Sequence, residues 1–254
     1  MWVERPKTNS KDKKDSRLFD TIVFICLSSA PKTLGSFIGY KMKIITPVVL
    51  AAGDSSRMGY PKALLPLGDD TFLTRILKTL DALELPAARV VLGIHEFRIQ
   101  PLLISRKVRV LTNPNPERGQ VSSLRLALED LDPDCGGCLI WPVDQPLVSI
   151  ELVRNLIQLF QGSSAPLAMP RCEGKAGHPA IFGPMLIEEL LSAPPDGSPK
   201  LIVARHKSQA AWLETSEKGS VEDVDTPEDY FRLTGETPAS ALAKRGHSDF
   251  PVLP

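Results

Sequence analysis

The 254-residue sequence lacks net charge, long apolar runs and abundant cysteine. Its 30 basic residues balance 30 acidic ones, so the overall charge gives no sign of a polyanionic partner such as nucleic acid. No uninterrupted apolar stretch approaches the ~20 residues that are needed to span a bilayer. Four cysteines are too few for a disulfide scaffold. We therefore expect a globular protein that has neither nucleic acid nor a membrane as a partner, and that is long enough to bury a substantial core.

One pair of cysteines, Cys135 and Cys138, has the spacing of a metal-binding or redox pair. The sequence contains no second such pair, and this one falls in a predicted turn before a strand at 139–143. A structural role is the favoured interpretation, and zinc or redox use is the minor alternative.

The two ends of the chain differ in composition from its centre. Residues 1–20 are polar and lysine-rich, which is typical of disorder, and residues 21–30 are mildly apolar. The apolar segment is short and follows several acids, which argues against a secretory signal and favours a cytoplasmic location. We predict a disordered N-terminal extension over 1–41, a single domain over 42–235 and a loose tail over 236–254.

Between the ends, strand patterns and helix patterns alternate. Such alternation predicts an α/β fold, with a doubly wound, mostly parallel sheet in the middle of three layers. In the first half, strands are expected at 44–50, 89–94, 108–111 and 139–143, and helices at 71–83, 97–104, 120–131 and 150–160.

After residue 162 the pattern changes. Two strands, at 167–171 and 176–182, are separated by a short turn and predict a hairpin-like excursion. Further helices are expected at 184–191, 199–207 and 227–233, and further strands at 210–214 and 221–224. This half should complete the sheet and form one side of a cleft.

The most informative segment is residues 50–62, LAAGDSSRMGYPK, which directly follows the first predicted strand. Glycine at a strand end lets backbone N–H groups approach an anion closely. Arg57 can grip phosphate oxygens with two hydrogen bonds, whereas Lys62 supplies a point charge. The segment therefore predicts a nucleotide-binding loop. Its expected nucleotide contacts are Ala51, Ala52, Gly53, Ser55, Ser56, Arg57 and Lys62.

Two widespread phosphate-loop patterns do not fit this segment. G-x-x-x-x-G-K-[ST] fails because Tyr60 and Pro61 separate Gly59 from Lys62 and no Ser or Thr follows the lysine, and G-x-G-x-x-G is absent. The alternative interpretation is an ordinary turn after a strand that carries surface charges. Small residues combined with two cations make that alternative the weaker one.

The pattern LAAG-x-S-x-R-M-G-x-P-K-x-L-L resembles that of nucleotidyltransferases of the molybdenum cofactor cytidylyltransferase type (MobA/MocA). The resemblance spans residues 43–234 and implies a glycosyltransferase-A-like, Rossmann-like fold. It also implies transfer of a nucleotide from an NTP to a phosphorylated acceptor. Four later motifs are similar to those of the family and follow its order: Asn113-Pro114 with Gly119 and Ser122-Ser123-Leu124, Asp144-Gln145-Pro146-Leu147, Gly177-His178-Pro179, and DVDTPED at 223–229.

The chemistry of such a transfer indicates which groups are needed. The acceptor oxygen attacks the α-phosphorus and expels pyrophosphate. A phosphate monoester has a second pKa near ~6, so it is already largely dianionic at neutral pH and needs no strong general base. Because both reactants are anions, the protein must hold them in position and offset their negative charge. The expected catalytic groups are Arg57, Lys62 and Asp144, the last as a ligand of a divalent cation, Mg²⁺ or Mn²⁺.

Asp144 and Asp225 are the candidate metal ligands. Asp144 ends an apolar strand, and Ser149 is better placed to cap the helix that follows. Asp225 resembles the family's second metal-binding acid. Residues 225–228 are also typical of a helix start, where Asp225 or Thr226 would be the cap. Both roles stay open for Asp225.

Three polar residues are expected near the base or ribose of the nucleotide: Asn113, Ser122 and Ser123. Their alternative role is turn formation and helix capping. In similar enzymes the Ala-Ala-Gly form of the loop accompanies cytidine and a Gly-Gly form accompanies guanosine, which favours CTP over GTP.

The acceptor is expected to contact Gly177, His178 and Pro179. Glycine before and proline after the histidine restrict its backbone, which suits a presented contact rather than an acid or base. Asp54 departs from the expectation for a phosphate loop, because it places an acid where phosphates should lie.

The favoured function is cytidylyl transfer from CTP to a molybdopterin-type cofactor. The first alternative is the same chemistry with GTP or on a sugar phosphate, a methylerythritol-type phosphate or phospholactate. The second is a nucleotide- or cofactor-binding protein without turnover, which the intact Arg57, Lys62 and Asp144 disfavour.

Overall fold

The computed structural model describes residues 42–194 and 199–246. The predictions for residues 1–41 and 247–254 lie outside this part of the chain.

One mostly parallel sheet of eight strands organises the domain. Its strands are β1 (Ile44–Ala51), β4 (Ala88–Leu92), β5 (Val108–Thr112), β6 (Cys135–Pro142), β7 (Leu167–Cys172), β8 (Lys175–Ala176), β9 (Ala180–Phe182) and β10 (Ala211–Glu214). The strand order is β10-β7-β9-β6-β1-β4-β5, with β8 paired to β7. Only β8 and β9 run antiparallel to their partners. A separate hairpin is formed by β2 (Pro66–Leu67) and β3 (Asp70–Thr71).

The central strand β1 is buried on both faces, as its β-branched run predicts. Val48 and Val49 are both fully buried, and they belong to opposite apolar clusters. This alternation follows from the two-residue period of a strand. The chain therefore needs helices on both sides of the sheet.

Eight α-helices lie in the described part of the chain. They are α1 (Phe72–Asp81), α2 (Glu96–Ile99), α3 (Gln120–Glu129), α4 (Ile150–Gln161), α5 (Pro184–Ser192), α6 (Pro199–His206), α7 (Pro227–Thr234) and α8 (Pro238–Lys244). Buried residues of α1, α4, α7 and α8 join the apolar cluster on one face of the sheet. Those of α3, α5 and α6 join the cluster on the other face. The predicted three-layer fold class is confirmed.

Helix α1 shows how local sequence sets an element. Thr71 caps its first turn, since its hydroxyl accepts from the Thr74 N–H while the Thr74 hydroxyl accepts from the Thr71 N–H. Its apolar residues at helical spacing, among them Phe72, Ile76 and Leu77, are buried.

Four predictions differ from the structure. The predicted strand at 176–182 is two strands, β8 and β9, and the predicted turn that carries Cys135 and Cys138 is the first half of β6. Residues 97–104 form the short α2 and a 3-10 turn, Gln100–Leu103, because Pro101 interrupts the helix. Residues 221–224 form no strand. The Val224 N–H does donate to the carbonyl of Asp144 at 2.9 Å, but this bond stands outside any ladder.

The prediction of a loose tail from residue 236 is wrong for residues 238–244, which form α8. Thr237 caps this helix, and Ala241 and Leu242 are buried in the core. The buried residues of this helix are Pro238, Ala241 and Leu242, too few for a periodic signal in the sequence.

Among the described residues, no helix is both long and apolar enough to cross a bilayer.

Replacing Leu242 by Ala should lower the free energy of unfolding by about 2 kcal/mol, because it removes a fully buried side chain and leaves a cavity. Leu201→Ala is the matched control, since Leu201 is 66% exposed on α6. Urea unfolding followed by circular dichroism measures both. Equal stability of the two variants would show that α8 does not hold the fold.

Candidate active site

The carboxyl ends of β1 and β6 lie side by side at the centre of the sheet. Leu50 pairs with Pro142, and the Val143 N–H donates to the Leu50 carbonyl at 3.1 Å. Strand order reverses here, since β4 and β6 flank β1 on opposite sides. Doubly wound sheets bind ligands in the crevice at such a point. The loop after β1 and the turn that carries Asp144 therefore open into one crevice.

The loop after β1 is closed by its own backbone. Ser55 has a φ of 57°, in the left-handed region, and Gly59 has a φ of 79°. The Gly59 N–H donates to the Ser55 carbonyl at 2.9 Å, and the Lys62 N–H donates to Ser55 Oγ at 3.2 Å. Both halves of the loop are thereby fixed relative to each other, with the side chain of Arg57 exposed.

Asp54, the acid that was unexpected in a phosphate loop, forms a hydrogen bond within the loop itself. Its Oδ1 accepts from the Ser56 N–H at 3.1 Å. This Asx turn gives the carboxylate a structural role in shaping the loop.

A cluster of four charged side chains lies in the crevice. Lys62 Nζ is 3.1 Å from Asp144 Oδ2 and also donates to Asp225 Oδ1. The Arg57 guanidinium is 2.9 Å from the other oxygen of Asp225. Burial raises the pKa of the Asp225 carboxyl, but the contacts with Lys62 and Arg57 outweigh burial and hold the pKa below its usual value. Asp225 is therefore ionised at neutral pH.

Neither candidate metal ligand, Asp144 or Asp225, caps a helix. Thr226 caps α7 through its hydroxyl, and the Asp229 carboxylate accepts from the N–H groups of Thr226 and Asp225. Ser149 caps α4. The side chains of Asp144 and Asp225 are thus available to the crevice, as predicted for Asp144 and left open for Asp225.

These two carboxylates fit a divalent cation. Within residues 42–194 and 199–246, no group of three or more His, Cys, Asp or Glu side chains could hold a metal ion. Asp144 and Asp225 nevertheless bracket one cation already, the Lys62 ammonium. Mg²⁺ is usually held by one or two carboxylates together with water and substrate phosphates, so two hard oxygen donors suffice.

The predicted nucleotide residues Asn113, Ser122 and Ser123 lie together. Asn113 Nδ2 donates to Ser122 Oγ at 2.8 Å and to Ser123 Oγ at 2.9 Å. Asn113 Oδ1 accepts from the Asn115 N–H at 2.9 Å. Asn113 is buried, so its contacts fix the turn that leads into α3. Of the three, only Ser123 lines the crevice cavity.

The crevice holds a cavity of about 620 Å³. Its lining contains most of the residues predicted for the nucleotide and metal: Ala51, Ala52, Gly53, Ser55, Ser56, Arg57, Lys62, Ser123, Asp144 and Asp225. A volume of this size is within the range of small-molecule sites.

Sequence reasoning missed part of the lining. Ile94 and His95 follow β4, and Glu117 and Gln120 precede or begin α3. The signal that could have found His95 is its place directly after a parallel strand, because strand ends are where ligands bind.

The three predicted acceptor residues do not line this cavity. The His178–Pro179 peptide bond is cis, and the His178 N–H donates to the Ser220 carbonyl at 2.8 Å. A side chain on Gly177 would put its Cβ 2.1 Å from the same carbonyl, so only glycine fits. The backbone here is tightly held.

The His178 ring is affected by the charged cluster without joining it. Burial lowers its pKa, and the carboxylates of Asp144 and Asp223 only partly offset that shift. Ring Nδ1 is buried and has no hydrogen-bond partner among the described residues. The ring is therefore neutral at pH 7 and adds no positive charge to the site.

A profile of the MobA-like NTP transferase domain matches residues 47–210. The "Probable molybdenum cofactor guanylyltransferase" of Rhodopirellula baltica is 28% identical over 200 residues, covering 72% of this chain and 88% of the relative. The "Molybdenum cofactor cytidylyltransferase" of Escherichia coli is 23% identical over 193 residues, covering 75% of this chain and 95% of the relative.

Solved structures show the same similarity. Rv0371c from Mycobacterium tuberculosis superposes with a TM-score of 0.67 at 29% identity, covering 77% of this chain and 99% of that chain. A complex of Rv0371C with manganese superposes with a TM-score of 0.62 at 26% identity, covering 77% and 100%. The likeness therefore extends over most of the domain rather than over one motif.

The ring of His178 should titrate below pH ~6.5, the ordinary value for histidine. Because the folded state binds this proton less readily than the unfolded state, stability is lost as the pH falls from ~6.5 through the folded pKa. NMR of the histidine ring protons against pH measures the midpoint, and His178→Gln assigns the signal. A midpoint at or above 6.5 would contradict a buried ring.

Proposed function

The chain belongs to the family of MobA-like NTP transferases, and on that premise we propose that it transfers CMP from CTP to the phosphate of a molybdopterin-type acceptor. Pyrophosphate is the second product. The chain is a nucleotidyltransferase. The identity of the nucleotide and the identity of the acceptor are what we propose.

One observation carries the proposal: two cations and two carboxylates converge in a cavity at the carboxyl ends of β1 and β6. The Lys62 ammonium and the Arg57 guanidinium can each exchange a carboxylate oxygen for a phosphate oxygen. The N–H groups of the loop after β1 add partial positive charge from the backbone. This arrangement suits a triphosphate tail.

The proposed reaction needs little proton chemistry from the protein. An acceptor phosphate is largely dianionic at neutral pH, its second pKa being near ~6. What the residues supply is orientation for in-line attack and neutralisation of charge on the leaving pyrophosphate. Arg57 and Lys62 are the residues proposed for both tasks.

Asp144 and Asp225 are the proposed ligands of a divalent cation, Mg²⁺ or Mn²⁺. When bound, that cation neutralises phosphate charge beyond what the two basic side chains can offset. The manganese complex of Rv0371C supports the presence of a divalent metal in similar proteins.

The preference for CTP rests on the Ala51-Ala52-Gly53 sequence at the end of β1, which lines the cavity. The two named relatives differ in the nucleotide, one guanylyl and one cytidylyl. Both nucleotides therefore belong in any test.

Gly177, His178 and Pro179 are the proposed acceptor contacts. They lie outside the cavity lining, while the Asp144 charge acts on the His178 ring. Their restricted backbone supports a rigid contact beside the reaction centre rather than a nucleotide contact.

Pyrophosphate release should depend on CTP, a molybdopterin-type acceptor and Mg²⁺ or Mn²⁺ together. An enzyme-coupled pyrophosphate assay with CTP, GTP, ATP and UTP, and with sugar phosphate and methylerythritol phosphate as competing acceptors, identifies both substrates. Asp144→Asn should reduce the rate by about 100-fold or more, because it removes a proposed ligand of the divalent cation that would offset the phosphate charge. Asp81→Asn, an exposed aspartate on α1, is the matched control. Full activity of Asp144→Asn would remove Asp144 from the mechanism.

The Lys62 ammonium and a divalent cation should compete in the nucleotide-free protein, because both require the same two carboxylates. Lys62→Met should therefore bind Mn²⁺ more tightly than the wild type without nucleotide, by about fivefold, which matches about 1 kcal/mol of ion-pair energy. CTP binding should weaken in the same variant. Electron paramagnetic resonance of free Mn²⁺ reports the first change, and calorimetry reports the second.

Lys78→Met is the control. Lys78 also pairs with an aspartate, since its Nζ lies 2.6 Å from Asp70 Oδ1, but it does not line the cavity. Unchanged or weaker Mn²⁺ binding by Lys62→Met would show that the metal does not bind to Asp144 and Asp225.

A further inference from the structure

The loop after β1 is held by a residue of the neighbouring strand end, His95. Its ring Nε2 lies 3.0 Å from the backbone carbonyl oxygen of Asp54. A carbonyl oxygen only accepts, so Nε2 carries the hydrogen and donates. His95 is 6% exposed, which makes the contact a buried one.

This contact lies where the loop is most strained. Asp54 directly precedes Ser55, whose φ of 57° is uncommon for a residue with a side chain. Such a conformation persists only where surrounding contacts hold it. The Gly59 N–H and the Lys62 N–H hold Ser55 from inside the loop. His95 holds the preceding peptide unit from outside it.

The close approach of the chain after β4 to the chain after β1 depends on Gly93. A Cβ at this position would lie 2.4 Å from the Ala52 carbonyl oxygen. No side chain fits there, so glycine lets the end of β4 pass close beside the end of β1. The Gly93 carbonyl then accepts from the Glu96 N–H at 3.0 Å, which turns the chain so that His95 lies beside the loop.

On the opposite side, the loop is tied by charged contacts, since Lys62 contacts Asp144 and Asp225 and Arg57 contacts Asp225. The Arg57 side chain is 71% exposed, so its contact with Asp225 is open to exchange for a phosphate oxygen. The His95 contact uses no charged group of the site, so it can persist when a nucleotide binds.

We propose that His95 is a positioning residue, which fixes the peptide between Asp54 and Ser55 and thereby aims the loop N–H groups at the nucleotide phosphates. This inference rests on the proposed placement of the triphosphate on that loop. His95 acts through Asp54 and need not touch the nucleotide.

Three substitutions at His95 distinguish the effect of its N–H donor from the effect of its aromatic ring. His95→Phe keeps an aromatic ring and removes the donor, and His95→Leu removes the same donor with a smaller side chain. His95→Gln restores an N–H donor at a similar reach without a ring or a charge. Calorimetry with CTP and Mg²⁺ measures the dissociation constant of each variant, and thermal unfolding measures its stability.

His95→Phe and His95→Leu should weaken CTP binding about tenfold, as expected for the loss of one buried hydrogen bond. His95→Gln should restore the dissociation constant to within about threefold of the wild type. In hydrogen–deuterium exchange, the amides of residues 53–59 should exchange faster in the Phe and Leu variants, while those of β5 stay unchanged. A purely structural role would instead lower thermal stability at equal affinity.

Two results would overturn the proposal: CTP affinity within twofold of the wild type for the Phe or Leu variant, or no recovery with Gln. Lys62→Met is measured in parallel. If Lys62→Met binds CTP normally, the triphosphate does not lie on this loop and the proposed function fails as well. If Lys62→Met loses binding while the position-95 variants keep it, only the role of His95 is wrong.

Discussion

One ammonium group joins three distant parts of the chain. Lys62 Nζ lies between the carboxylates of Asp144 and Asp225, which are 82 and 163 residues further along. Its side chain is only 12% exposed, so two carboxylates are needed to offset the cost of removing its charge from water. Together with Arg57, the cluster has no net charge. The proposed triphosphate is strongly anionic, so it would have to redistribute these contacts on binding, and the proposed divalent cation would supply the positive charge that the cluster lacks.

The fold brings these groups together through the reversal of strand order beside β1. The end of β1 supplies the loop with Lys62, and the end of β6 supplies Asp144. Val224 then approaches the turn after β6 through one backbone bond to the Asp144 carbonyl, which places Asp225 next to it. The parallel sheet thus sets two of the three positions, and a single hydrogen bond outside the sheet sets the third.

Much of this arrangement could be predicted from the sequence because its causes are local. β-branched runs predict buried strands, and the end of each parallel strand predicts where site residues lie. The cap of α7 could not be assigned beforehand, since Asp225 and Thr226 were equally suitable; the structure uses Thr226 and leaves Asp225 to Lys62. The position of His178 outside the cavity and the contact of His95 with the loop depend on packing between segments. Spacing in the sequence carries no signal for either.

The C-terminal helices explain why the Lys62–Asp225 pair keeps its geometry. Asp225 precedes the first residue of α7 by two positions, and Tyr230 on the same helix donates its hydroxyl to the Pro66 carbonyl at 2.7 Å. Pro66 lies four residues after Lys62, so one short helix is bonded to the chain near both members of the pair. Arg245, just after α8, donates to the Gly68 carbonyl of the same hairpin. Because these bonds lie outside the cavity, nucleotide binding can rearrange the charges inside it while the backbone that carries them stays in place.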